Sequence, residues 1–429
     1  MTPTRLNALL ILLVCGCAAT EGPAAKPTPS AEGFFKAATD RAADLPADEF
    51  YPRGRRMLCS IYSVGSPELE RMRQDGFTAI GPYYGDQTKG KVIEKAKTSG
   101  LKCFYAVGKH VDFVKNPKYV MPTDAELTDL ATQQVKAVAD SPEIAVWCVA
   151  NEELRHWRPD EMRWLRVTAD AIRKADPRRR PVMMYDPNNR NAASLAHTVR
   201  YLDFSSKGMY ANSIGFKDQR IWIRWGVEQE IGAIRQAKPP AIPIAVLWMA
   251  KDPDAPEEDA LIADWTRHDV YLSLVSGAKG IIIWSGWNRR KGFERTFSKY
   301  YEGYAAAMRE INGDLDLARI FLFGERRNDV TITVTSGPPT LSFEYNKETH
   351  SYPSVSHLDA ACGAERYLFL VNSANVPVKA MVGGLPAAAI QMEDILARGE
   401  PRQVTGGKFE VALPRLGVTC LRFRPGPTN

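Results

Sequence analysis

From Arg56 to about residue 315 the chain repeats one pattern: a short apolar run rich in β-branched and aromatic residues, a polar junction, then a longer segment with apolar positions three and four apart. The first spacing is that of a buried strand, the second that of an amphipathic helix. Eight strand-like runs stand out: RMLCSIYS (56–63), FTAIGPYY (77–84), LKCFYAVGKH (101–110), IAVWCVAN (144–151), PVMMYD (181–186), SSKGMYA (205–211), IPIAVLWM (242–249) and GIIIWSG (280–286). Segments such as SPELERMRQDG, KGKVIEKAKTSG and PDEMRWLRVTADAIRKADP lie between them, and most stop at Gly or Pro, as helices do. Strands alternating with helices run parallel, and eight such units predict a closed α/β fold, the (β/α)8 TIM barrel of about 250 residues. A doubly wound open sheet is the competing arrangement, but no GxGxxG nucleotide fingerprint accompanies the strands.

After INGDLDLARIFLFG the helices stop. Short alternating runs follow (DVTITVTS, LSFEYNKE, ERYLFLVNS, VKAMVGG, KFEVALP and VTCLRFRP), separated by Gly, Pro and Asn turns, and they predict a small all-β sandwich. At the other end, MTPTRLNALLILLVCGCAAT has one Arg, an apolar run from Leu6 to Val14 and then small residues. That run is too short to span a bilayer and reads as a secretory signal. The stretch VCGC resembles a bacterial lipobox, with Val14 three places before Cys17 and Gly16 directly before it. The resemblance implies a lipidated Cys17 as the mature N-terminus, a membrane partner through that anchor, and a place in the bacterial cell envelope. The expected organisation is a lipoprotein signal over 1–17, a tether with a short lead-in helix over 18–50, the barrel over 51–318 and the sandwich over 319–429.

Composition narrows the function classes. With 45% hydrophobic residues over 429 positions, the chain has the means to bury a large core and is not of the disordered class. Lys+Arg number 56 against Asp+Glu 50, spread along the sequence, so charge gives no reason to expect nucleic acid as a partner. The basic runs DPRRRP and NRRKGFER lack a Gly-rich phosphate loop and read as solvated faces. Of seven cysteines, Cys15 and Cys17 fall in the leader, and the other five form no CxxC pair. They predict neither a metal nor a redox centre, and no cofactor is expected; a disulfide in an oxidising compartment stays open.

In a (β/α)8 barrel the working side chains stand at the C-terminal strand ends, whose loops ring one mouth. Read in order, those ends carry Tyr62; Tyr83 and Tyr84; His110; Asn151, Glu152 and Glu153; Asp186 and Asn188; Tyr210 and Asn212; Trp248, Lys251 and Asp252; Trp284 and Trp287. Aromatic faces suit the C–H sides of sugar rings while amides and carboxylates take the hydroxyls, so the ligand expected is a carbohydrate. WCVANE (147–152) and the eighth-strand run GAKGIIIWSGW (277–287) resemble the clan A glycoside hydrolases, whose acid/base glutamate follows an asparagine at the end of strand four. That resemblance spans the barrel, and the ending VALPRLGVTCLRF is similar to the accessory domains of such enzymes. It implies Glu152 as general acid/base, Asn151 on a sugar hydroxyl, Trp284 as the floor of the cleaved-sugar subsite, Tyr210 orienting the partner carboxylate and His110 at a common third-strand site, while Trp248 is expected among the binding residues as a strand-end aromatic.

One departure is plain: where the family carries a nucleophile Glu ending strand seven, IPIAVLWMAKDPD carries Trp248. Both hydrolytic stereochemistries need a second carboxyl, about 5–5.5 Å away when retaining and roughly 6.5–9.5 Å when inverting. Asp186 and Asp252 are the first candidates, ahead of Glu228, Glu230 and Glu153. Two functions follow: a surface-anchored glycoside hydrolase, or a catalytically inactive carbohydrate-binding lipoprotein on the same scaffold.

Overall fold

The computed structural model describes residues 44–62, 66–82, 90–113, 115–116, 118–286, 292–388 and 390–425. The leader with Cys17, the tether, and Tyr83, Tyr84 and Trp287 lie outside the described residues.

Strands β1 (Leu58–Ile61), β2 (Ala79–Ile80), β3 (Lys102–Val107), β4 (Ile144–Val149), β5 (Val182–Asp186), β6 (Phe204–Gly208), β7 (Ile242–Trp248) and β8 (Gly280–Trp284) form a closed barrel in sequence order. All neighbours pair parallel, and β8 returns to β1 in the register Leu58↔Gly280 to Ile61↔Ile283. Seven of the eight predicted runs contain their strand, and β6 starts one residue before its run, at Phe204. Around the barrel lie α1 (Ser66–Met72), α2 (Lys91–Ser99), α3 (Asp124–Lys136), α4 (Pro159–Ala175), α5 (Ala192–Val199), α6 (Trp222–Ala237), α7 (Ile262–Ser276) and α8 (Phe297–Asn312). The covered outer face is why the strands read as continuous apolar runs rather than alternating ones. Local signals agree: Thr123 and Glu126 form a reciprocal capping box at the start of α3, and α4 begins with Pro159, whose missing N–H falls where no helical partner exists.

A short helix, α9 (Ala318–Phe323), leads into the C-terminal strands: β9 (Glu325–Arg327), β10 (Thr331–Ser336), β11 (Thr340–Tyr345), β12 (Glu348–Pro353), β13 (Val355–Cys362), β14 (Glu365–Asn372), β15 (Val378–Gly383), β16 (Ile390–Asp394), β17 (Arg402–Val404), β18 (Phe409–Leu413) and β19 (Val418–Pro425). Antiparallel sheets of order β17-β16-β19-β14-β13-β9 and β10-β15-β18 make the sandwich, and β11–β12 form a separate hairpin. Strand β14 is buried on both faces. Its Leu368 and Leu370 enter the core between the sheets, while Tyr367, Phe369 and Val371 belong to the core shared with the barrel. Phe369 packs 4.5 Å from the Phe321 ring, centroid to centroid, which fastens sandwich to barrel through apolar surface. Cys59, Cys103, Cys148, Cys362 and Cys420 form no disulfide, and four of them are buried as small hydrophobes. Among the described residues no helix is long and apolar enough to cross a membrane.

Candidate active site

Strand β4 delivers its polar tip to the barrel mouth through the loop after β3. Ala150 N donates to Val107 O at 2.8 Å, and Asn151 Oδ1 accepts from Val111 N at 2.6 Å. Asn151 is buried, and its Nδ2 has no hydrogen-bond partner among the described residues. His110 is exposed, next to that Val111 contact. Glu152 follows half-buried. At Glu153 the chain is no longer extended: φ is 58°, its N donates to Tyr185 O at 3.2 Å, and its side chain is exposed.

Across the mouth stands an aromatic floor. Tyr210, just beyond β6, lies 5.2 Å from the ring of Trp248 and 5.5 Å from that of Trp284, and the two indoles are 5.4 Å apart. Trp248 and Trp284 are register partners at the ends of β7 and β8, so the barrel itself brings them together. The Trp284–Ser285 peptide is cis. Behind them Tyr185 stacks on Tyr210 at 6.1 Å. Burial holds the Tyr210 phenol well above its ordinary pKa; Tyr185 adds to the rise, and the Tyr62 and Glu152 charges contribute further. Burial likewise raises Tyr185, where Glu153 and Glu152 add to the effect. Both phenols therefore stay neutral hydroxyls beside the Glu152 carboxyl.

The candidates for a second carboxylate fare differently. Asp186 is corrected as a mouth residue: it is 1% exposed, Oδ1 is paired with Arg190 at 2.8 Å, and Oδ2 accepts from Thr198 of α5 at 2.9 Å. Successive strand residues face opposite sides, and since Tyr185 faces the mouth, Asp186 faces the helices. Asp252, at the loop after β7, is only partly buried and is engaged by a neighbouring loop. Its Oδ1 accepts from Thr296 N at 2.9 Å and Thr296 Oγ1 at 2.6 Å, tying the loop after β7 to the start of α8. Glu228 pairs with Arg224 one turn away on α6 at 2.9 Å, and Glu230, on the same helix, is fully buried and accepts from Lys207 N at 2.8 Å.

Sequence reasoning missed Lys207. Fully buried on β6, its Nζ donates to Asn188 O at 2.6 Å and Gly208 O at 3.0 Å, and lies 4.8 Å from the Trp225 ring centroid. Desolvation lowers its pKa to about 7, against the opposing pull of Glu230 and Asp186. Asn188 in turn accepts from Tyr210 N at 3.1 Å, so this buried network holds the aromatic floor from behind. The available signal was a lysine inside a strand-like run of the barrel, which must find partners to be buried at all. No cluster of three or more potential metal ligands occurs among the described residues.

No family model matches this chain, and no curated protein is similar in sequence. Solved structures are similar in fold. One described as a glycoside hydrolase is matched over 90% of this chain and 97% of its own, at a TM-score of 0.55 and 12% identity. A glycoside hydrolase family 5 protein from Bacteroides vulgatus is matched over 88% of this chain and 92% of its own, at 0.54 and 13%. AmyP in complex with maltose is matched over 92% and 99%, at 0.51 and 12%. The chain thus has the barrel-and-sandwich fold found in glycoside hydrolases.

Proposed function

We propose that the barrel mouth is a carbohydrate site. In this reading Trp284 and Trp248 offer ring faces to a sugar, Asn151 Nδ2 donates to one of its hydroxyls, and Glu152 stands at the bond between two sugar units. The observation that carries it is that the strand ends of one barrel carry both the Tyr210–Trp248–Trp284 cluster and a buried amide bonded at one end only. Apolar faces with a few placed polar groups are what sugar recognition requires. On this reading the protein is held at the bacterial envelope by a lipid on Cys17, and labelled palmitate should enter the wild type but not Cys17→Ser.

Whether the site also hydrolyses its ligand turns on a second carboxylate. Trp248 at the end of β7, with Asp186 and Asp252 engaged elsewhere, favours binding without turnover. Glu152, half-buried at the end of β4 beside the Tyr185 and Tyr210 hydroxyls, favours a general acid. Incubating the protein with a glycan panel, and scoring both binding and reducing-end release, separates the readings. Binding without release, in wild type and Glu152→Gln alike, supports the recognition protein. Release lost by at least about a hundredfold in Glu152→Gln, with binding kept, supports the hydrolase. A wild type that binds no glycan defeats both.

A further inference from the structure

The loop after Glu152 leaves the barrel and sets Trp157 at the surface, 64% exposed. Among the described residues it is the sole aromatic counted with the exposed large hydrophobics, the others being Val120, Ile214 and Val376. An indole held in water forgoes the stabilisation of about 1.5–3 kcal/mol that burying a large apolar side chain brings, so its position calls for a reason. Beside it opens a cleft of about 570 Å³, walled by His156 and Trp157, by Asn189 and Asn191 before α5, by His197 in its last turn, and by Asn346 at the β11–β12 turn.

The walls are fixed from three directions. Arg190, paired with buried Asp186, donates to Leu154 O and pins the loop. His156 stacks on His197 at 5.3 Å and meets the Trp157 ring edge-on at 4.9 Å. Tyr345 Oη donates to Asn189 O at 3.0 Å, which brings the sandwich's hairpin onto the barrel loop. The cations at the cleft are already committed: Arg155 pairs with Glu161 at 2.5 Å and Arg190 with Asp186 at 2.8 Å. Burial, reinforced by Arg190 and His197, lowers the pKa of His156 and keeps it neutral. An acidic sugar finds no unpaired arginine here, and Glu153 in the wall repels it.

We propose that this cleft is a second subsite, in which a neutral sugar ring of a longer chain stacks on Trp157 while amides from barrel and hairpin take its hydroxyls. The proposal rests on the carbohydrate reading of the mouth. Since Glu152 borders the mouth and Glu153 the cleft, one oligosaccharide reaches both, and the C-terminal sandwich becomes part of the binding surface through Asn346.

Isothermal titration of the full mature protein with neutral cello-, xylo-, manno- and malto-oligosaccharides of two to six units tests this. Affinity should rise with length. Trp157→Ala, an exposed site that leaves the core intact, should weaken the longest bound oligomer about tenfold while leaving the disaccharide within about twofold. Asn346→Gly, which keeps the turn's positive φ of 51°, should give a smaller loss of the same kind. Trp284→Ala should weaken every length. If Trp157→Ala binds the longest oligomer like wild type while Trp284→Ala does not, the second subsite is refuted and the mouth stands. Preference for oligogalacturonate over neutral chains overturns the neutral class, and no binding of any oligomer by wild type removes both readings.

Discussion

Gly208 closes β6 directly behind the aromatic floor, and it has no room for a side chain. A Cβ there would lie 2.5 Å from the Tyr185 hydroxyl and 3.2 Å from Cζ of Tyr210. Gly208→Ala should therefore displace the stacked tyrosines, lowering stability by about 1–3 kcal/mol in urea unfolding and weakening glycan binding together. Unchanged stability and binding would show that the tyrosines yield without cost. Asn151 and Glu152 were legible because an apolar run ending in polar residues marks a strand end, and counting strands placed them on the fourth. Asp186 misled because the same rule was applied without strand alternation. Tyr185 and Asp186 are neighbours on β5, only one of them can face the mouth, and the carboxylate with Arg190 four residues ahead is the one that faces α5.

At the scale of elements, the barrel strands were readable because helices cover their outer faces and the closed interior covers the inner ones, leaving few polar positions to break the runs. The sandwich was readable only in part. Strands β10, β11, β14, β15, β18 and β19 were anticipated, whereas β12, with the sequence ETHSYP, pairs along its whole length with β11 while mostly exposed, so burial left no apolar mark on it. Lys207 shows the converse: apart from the adjacent Gly208, its hydrogen-bond partners come from the loop after β5 and from α6, both distant in sequence. Lys207→Met should keep the volume yet leave the buried carbonyls of Asn188 and Gly208 without their donor. Leaving buried acceptors without a donor costs about 1–3 kcal/mol, so the variant should unfold at lower urea concentration. Equal midpoints would mean that the cluster is neutral and contributes no pairing energy.

For the whole molecule, the joint between barrel and sandwich combines apolar packing with one fully buried histidine on α7. His268 Nε2 meets Ser373 Oγ at 2.9 Å across the joint, and its Nδ1 meets Asp269 Oδ1 at 3.0 Å, while Asp269 also holds Arg220. Burial lowers the His268 pKa from 6.5, opposed by Asp269 and assisted by Arg220, the other charge facing it. A histidine whose folded pKa is depressed gives stability that is complete above the unfolded value and drains as the pH falls from about 6.5 toward the folded pKa, because the unfolded chain takes up the proton first. Asp269 cannot produce a loss in that window, since its own pKa lies below 3.8. His156 and His357 are lowered as well, but they are common to wild type and variant and cancel in the difference. Urea unfolding from pH 7.5 to 5 should therefore show a steeper acid loss for wild type than for His268→Gln, even though the variant starts about 1–3 kcal/mol less stable for want of its buried hydrogen bonds. Ser373→Ala should lower stability by about 1 kcal/mol without flattening that slope. Parallel slopes for wild type and His268→Gln would dismiss the histidine as the source, and the joint would then owe its acid sensitivity to groups outside the Asp269–His268–Ser373 line.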